Sequence, residues 1–246
     1  MEILNEMQTT VFWVGLWQII LVNIVLSGDN AVVIALAARS LPAKQQKQAI
    51  IWGSAAAIIM RVILTVFAVA LLSFPWLKLI GAVLLLWIAV KLLLPEHDGG
   101  EGVDSSDNLW AAIKTILIAD LVMSLDNVIA VAAAAKGSIT LLVLGLAISI
   151  PLVIFGATML MKLMDRWPII ITIGAALLGW VAGDMAVTDP VVKDWVDANA
   201  AWLHWAAPVA GAVFVVAAGK WLAARAEAGH KEVVDLGESG ETKAPH

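Results

Sequence analysis

Residues 23–30 read NIVLSGDN and residues 120–127 read DLVMSLDN. Each octet sits within an apolar run long enough to cross a bilayer core of about 30 Å. An offset of 97 superimposes Asn23 on Asp120, Ser27 on Ser124, Asp29 on Asp126 and Asn30 on Asn127. Carboxylates and amides are costly inside hydrocarbon, and this chain places them there twice.

The repetition extends beyond the octets. An offset of 92 pairs Gly53 with Gly145, and an offset of 93 pairs Pro75 with Pro168, Gly81 with Gly174, Trp87 with Trp180 and Ala89 with Ala182. Ordered matches in three consecutive segments make coincidence a poor account. Three helices therefore occur twice, and an unpaired seventh follows. Three is odd, so the second copy enters the membrane from the opposite side. The expected fold is an all-α membrane protein with seven transmembrane helices, built as two inverted three-helix repeats plus one extra helix. Carriers of this design hold their site near the midplane, at the repeat interface, often on interrupted helices.

Composition agrees with the class. Of 246 residues, 61% are hydrophobic and only 14% are charged, against about a quarter charged in soluble domains. The net charge of −5 is concentrated in loops and tail, and no basic stripe of the kind nucleic acid requires is present. The absence of Cys excludes thiolate metal sites, disulfides and thiol catalysis. The acidic start, MEILNEMQTT, lacks the basic region of a cleavable signal, so the first apolar segment is expected to be retained.

Hydropathy predicts helices near 11–37, 47–73, 75–94, 109–135, 138–163, 167–187 and 201–223. The chain then divides into an N-terminal tail (1–10), a first repeat (11–94), an acidic linker (95–108), a second repeat (109–187), an outer loop with the seventh helix (188–228) and a disordered tail (229–246). Trp13, Trp76, Trp110, Trp167, Trp202 and Trp205 near segment ends suit interfacial belts. Arg39, Lys44, Lys47, Lys91, Lys114, Lys162, Arg166, Lys220, Arg225, Lys231 and Lys243 fall on one side, and only Lys78, Lys136 and Lys193 on the other. That asymmetry predicts an outside N-terminus, a cytoplasmic linker and a cytoplasmic C-terminus in a multi-pass membrane protein.

Helical spacing sorts the polar residues. Asn23, Ser27 and Asn30 share one face, as do Asp120, Ser124 and Asn127. Asp29 and Asp126 lie roughly 120° away at ~3.6 residues per turn. Either each Asp faces another neighbour, or the helices unwind around SGDN and SLDN; Gly28 favours unwinding in the first. The donors are all hard oxygen, and no His lies in these helices, which suits Mn²⁺, Mg²⁺ or Ca²⁺. Met123 offers a soft thioether that would favour Mn²⁺; plain packing against a neighbouring helix is the ordinary account of it.

Other features have ordinary accounts too. The amides and acids can serve as hydrogen-bonding glue between helices, although their repetition on inverted helices argues for a site. Arg61 lies mid-span where its counterpart is Val153; it pairs with Asp29, competes with a cation in the empty site, or simply forms a structural ion pair. Lys91 and Asp184 occupy matching helix ends and fit snorkelling. The acidic run GDMAVTDPVVKDWVD reads as a solvated loop.

NIVLSGDNAVVIALAARSLP and DLVMSLDNVIAVAAAAKG, with WGSAAAIIMRVILT and PWLKLIGAVLLLWIAVKLL, resemble the signature segments of the TerC family of integral membrane proteins, most closely its short bacterial YjbE-like branch. The resemblance covers about residues 10–223. It implies manganese efflux and a distant link to the LysE superfamily of exporters. It also implies metal ligation by Asp29, Asn30, Asp126 and Asn127, with Asp120 as a further acidic ligand. Asn23, Ser27 and Ser124 complete the set read from the motifs.

The expected function is export of divalent cations, foremost Mn²⁺ as transported substrate, by alternating access between the repeats with possible proton exchange. The expected partners are the ion, the lipid bilayer and protons, not nucleic acid; the oligomeric state is unknown from sequence. Two alternatives are a membrane scaffold or assembly factor holding a structural ion, and an intramembrane aspartyl protease using Asp29 and Asp126 as a dyad. The chain reads Ser27-Gly28-Asp29 where such proteases typically carry Gly-x-Gly-Asp, which leaves a non-enzymatic protein as the expectation.

Overall fold

Long apolar stretches rich in Leu, Ile, Val and Ala satisfy their backbone polar groups internally as helices, the form that hydrocarbon tolerates. The computed structural model describes the backbone of residues 10–26, 28–67, 74–94, 105–135 and 138–241. Side chains 22–26, 126–130 and 227–241 are among those outside the described set. Among the described residues there are nine helices and no strand. They are α1 (Thr10–Leu26), α2 (Gly28–Ala38), α3 (Ala43–Val66), α4 (Leu77–Leu93), α5 (Ser105–Ala135), α6 (Ile139–Arg166), α7 (Ile169–Val187), α8 (Lys193–Asn199) and α9 (Leu203–Glu241).

Among the described residues five segments are long and apolar enough to cross a membrane: Ala43–Val66, Asn108–Leu125, Thr140–Arg166, Ile169–Val187 and Leu203–Ala226. α4 has 17 residues, or about 25 Å at ~1.5 Å per residue. Where one helix is expected over 11–37, α1 and α2 meet at Ser27, which lies outside the described residues.

Several expectations need revision. Backbone through Ser124-Leu125-Asp126-Asn127 is continuous helix within α5, so SLDN does not unwind. Leu125 stands where the first motif has Gly28, and Leu favours helix over Gly by most of a kcal/mol. In the first motif Gly28, Asp29 and Asn30 form the first turn of α2. α3 begins at Ala43, absorbing residues expected in a loop, because Pro42 ends the extended approach with ψ 145° and Lys, Gln and Ala follow. The helical backbone of α9 runs on to Glu241, through HKEVVDL, where a disordered tail was expected; residues 242–246 lie outside the described set. Residues 95–104 of the acidic linker also lie outside it.

Packing divides the helices into two groups. α1, α2, α3, α5 and α6 surround one another, with α3 laid along α5, and α6 along α1 and α2. α4, α7 and α9 pack mutually, with α7 against α9 the most extensive pairing of all. Contacts of α4 with α5 and of α2 with α7 join the groups. The main apolar core, including Leu36, Ile50, Leu85, Ile116, Leu178 and Met185, threads both. A second cluster ties α1 (Phe12, Leu16, Ile19) to α5 (Val131) and α6 (Leu141, Leu146). Trp17, Trp52, Ile80, Val83, Phe155 and Val213 point outward in quantity that suits lipid rather than water.

The tightest approach is between α7 and α9. A Cβ added at Gly183 would lie 2.2 Å from the carbonyl oxygen of Ala207, and one at Gly179 would lie 2.4 Å from that of Gly211. Small residues let membrane helices bring backbone against backbone, where van der Waals contact replaces the missing hydrophobic drive.

The connections are less passive than they read in sequence. Asp189, in the stretch expected to be a solvated loop, is fully buried. Its carboxylate accepts N–H bonds from Trp76 (3.3 Å), Lys78 (3.1 Å), Leu79 (3.2 Å) and Val191 (2.9 Å). Three of these donors open α4, so Asp189, two residues past the end of α7, supplies the missing N-terminal cap of α4. Trp76 sits there with φ 70°, a left-handed conformation that side chains other than glycine rarely adopt.

Candidate cation site

The five-helix group encloses a cavity of about 20 Å³, enough for one water-sized occupant. Its wall is built by helical periodicity. Ser54, Ala57, Ile58 and Arg61 follow one another at spacings of three, one and three along a single face of α3. Asn30 and Ile34 contribute one turn of α2, Asp120 comes from α5 and Val153 from α6. Four helices thus converge on one small volume.

Arg61 and Asp120 form its electrostatic centre. Both are buried, at 4% and 7% exposure, and the Arg61 Nη2 donates to Asp120 Oδ1 at 2.5 Å. The Arg61 Nε donates to Ser124 Oγ at 3.1 Å, and that hydroxyl donates to Asp120 Oδ2 at 3.3 Å. The Thr65 hydroxyl donates to the Arg61 carbonyl at 2.7 Å, one turn along α3. The ion pair joins residues 59 positions apart and locks α3 to α5. Removing one partner of such a pair costs about 3–5 kcal/mol, because it strands a charge away from water.

Across the cavity the polar groups are unsatisfied. Both ends of the Asn30 amide and the Ser54 hydroxyl have no hydrogen-bond partner among the described residues, although the two residues are 3% and 2% exposed. A stranded buried polar group costs about 1–3 kcal/mol. Asn30, Ser54 and Asp120, each carrying a hard oxygen, therefore line a space the size of one small occupant.

Of the residues read from the motifs, Asn30 and Asp120 line the cavity, and the Ser124 hydroxyl donates to Asp120. Asp29 is half-buried at the start of α2 and accepts the Asn30 N–H at 2.8 Å; it is not part of the cavity wall. Arg61 pairs with Asp120. Met123 is buried in the main apolar core and does not line the cavity. The side chains of Asn23, Asp126 and Asn127, and Ser27 altogether, lie outside the described residues. Among the described residues no three acidic or histidine side chains gather into a metal-binding cluster. Ser54 is the wall residue that the sequence reading missed. Its signal was present, seven residues before Arg61 on the same helical face.

The family model described as "Integral membrane protein TerC family" matches residues 8–227. The chain is 44% identical over 178 residues to a Bacillus subtilis (strain 168) protein named "Uncharacterized membrane protein YjbE", covering 72% of this chain and 81% of that protein. It is 28% identical over 185 residues to YceF of the same organism, covering 72% of each. It is also 36% identical over 137 residues to the inner membrane protein YoaE of Escherichia coli (strain K12), covering 48% of this chain and 26% of that protein. No solved structure matches. With a family match running across nearly the whole chain, this protein belongs to the TerC family of integral membrane proteins.

Proposed function

We propose that this chain is a multi-pass transporter of the bacterial inner membrane that exports divalent cations, Mn²⁺ foremost, by alternating access between two inverted three-helix repeats. The observation that carries the reading is the small cavity lined by Asp120 together with Asn30 and Ser54, whose buried polar atoms lack hydrogen-bond partners among the described residues. Asn30 and Asp120 come from the two octets that repeat in sequence, and hard oxygen donors select hard cations. Asp29, Asp126, Asn127, Asn23 and Ser27 would complete the path at or beside this cavity.

Packing supports the inverted arrangement. Exchanging the first three spans for the second three turns the contact of α3 with α5 into that of α6 with α1 and α2, and both are major contacts. The same exchange relates α4 on α5 to α7 on α2. Proton exchange could balance the emptied carboxylates, with the N-terminus outside and the C-terminus in the cytoplasm.

One observation favours a second reading, a scaffold with a structural role: Asp120 already has a countercharge in Arg61. Two measurements separate the readings. Cells expressing the wild type should clear a Mn²⁺ load, and cells expressing Asp120→Asn or Asp126→Asn should not. Equal clearance by the variants refutes the transport site. Purified protein that binds Mn²⁺ yet moves none into liposomes establishes the scaffold.

A further inference from the structure

Arg61 has no equivalent in the second half, where the matching residue is Val153, and Val153 lines the same cavity. One permanent positive charge therefore stands in a site otherwise lined by oxygen donors and apolar groups. Its guanidinium takes contacts that a metal ion would use, at Asp120 Oδ1 and at Ser124 Oγ. Asn30 and Ser54, whose buried polar atoms it does not satisfy, line the same cavity.

We infer that Arg61 is a tethered substitute cation: it occupies the acidic half of the site when the substrate is absent and must swing off Asp120 before a divalent ion can bind. This rests on the cation-site reading and adds how that site is regulated. A doubly charged ion and a guanidinium cannot share Asp120 in a space of about 20 Å³, because like charges a few ångströms apart in a poorly screened interior repel strongly. Arginine suits the role because it stays charged when buried, whereas lysine loses its charge readily. In return the empty carrier keeps Asp120 neutralised, so its acidic site can re-orient across the membrane without an unpaired charge.

The apparent affinity of a site falls in proportion to the fraction of molecules competent to bind. If Arg61 holds the site about nine-tenths of the time, its removal tightens binding about ten-fold. The test is calorimetric titration of Mn²⁺ into the purified full chain in detergent. Arg61→Gln is expected to bind about ten-fold more tightly than wild type. Arg61→Lys, which keeps a positive charge but loses the fork contacting Asp120 and Ser124 together, is expected to bind about three-fold more tightly. Arg61→Gln that binds no better than wild type makes Arg61 a structural partner and overturns the inference. Arg61→Lys that matches wild type reduces the effect to a general field and overturns it as well. If Arg61→Gln fails to fold, the Arg61→Lys result decides alone. If neither wild type nor variant binds Mn²⁺, the cation-site reading itself fails, a result distinct from binding that Arg61 leaves unchanged.

Discussion

The helices around the cavity and the α4–α7–α9 group solve membrane packing in opposite ways. α7 and α9 bring backbone against backbone through Gly179, Gly183 and Gly211, with no room for a methyl group. The cavity helices keep a small void and line it with polar atoms, two residues of which lack partners among the described residues. The close approach at Gly179, Gly183 and Gly211 leaves no room for a ligand along that seam. Unsatisfied donors around a void cost stability and leave a place for one. The contrast sets polar residues that lack partners among the described residues, Asn30 and Ser54, against one that is saturated and structural, Asp189.

That contrast can be attacked by mutation, most forcefully at the ion pair. Asp120→Ala removes the carboxylate to which the Arg61 Nη2 donates and should destabilise the protein by about 3–5 kcal/mol, read as a lowered melting temperature in detergent. The double variant Arg61→Met with Asp120→Leu should recover most of that loss; if it does not, the pair contributes more than mutual neutralisation.

Gly183→Val comes next. Its side chain meets the backbone of Ala207 and Pro208 rather than a movable side chain, so α7 and α9 must part, at about 3 kcal/mol. Its Mn²⁺ affinity should stay near wild type under conditions where it remains folded. Asp189→Ala uncaps α4 and should cost about 2 kcal/mol, seen as faster hydrogen exchange at Trp76, Lys78 and Leu79. Asp189→Asn should retain part of the cap.

Ser54→Ala reverses the usual order of effects. Removing an unsatisfied hydroxyl should change stability by less than about 1 kcal/mol, in the stabilising direction, while weakening Mn²⁺ binding in the same titration. A stability loss above that would show that the hydroxyl is satisfied after all.

The smallest effect lies on the exposed rim. His204 Nε2 lies 2.7 Å from Asp197 Oδ1, and Lys193 lies 3.6 Å from the same carboxylate. The hydrogen bond to His204, with Lys193 adding to it, holds the Asp197 carboxyl below its ordinary value of 3.8. A carboxylate whose folded value is depressed adds stability above its unfolded value, and that stability is lost as pH falls through the folded one. His204→Ala should return Asp197 toward 3.8 in an NMR titration and leave stability near neutral pH almost unchanged.

Much of the site's logic was legible in the chain. Spacings of four and three put Asn30 on one face and Asp120 with Ser124 on another, and Asn30 and Asp120 line one cavity. A helix's period needs no tertiary information. What lay beyond reading were choices between distant partners. Arg61 had a carboxylate in each half to choose from, and a contact across 59 positions depends on how α3 lies against α5. Ser54 looked like one more small residue in a membrane helix until Arg61 and Asn30 were placed beside it. Asp189 looked solvated because acidic neighbours in a connection usually are, and only the approach of the N-terminus of α4 makes burial favourable.

By itself the sequence determined a helical membrane protein of the TerC family, the repetition of its polar octets and the faces those residues occupy. These follow from hydrocarbon's intolerance of unpaired backbone and from the fixed turn of a helix. Only the tertiary structure decided that Arg61 answers Asp120, that Asn30 and Ser54 share a void with that pair, and that Asp189 caps a helix from another segment. Each is a meeting of residues far apart in the chain, selected by the packing of whole helices, and local preference carries no record of it.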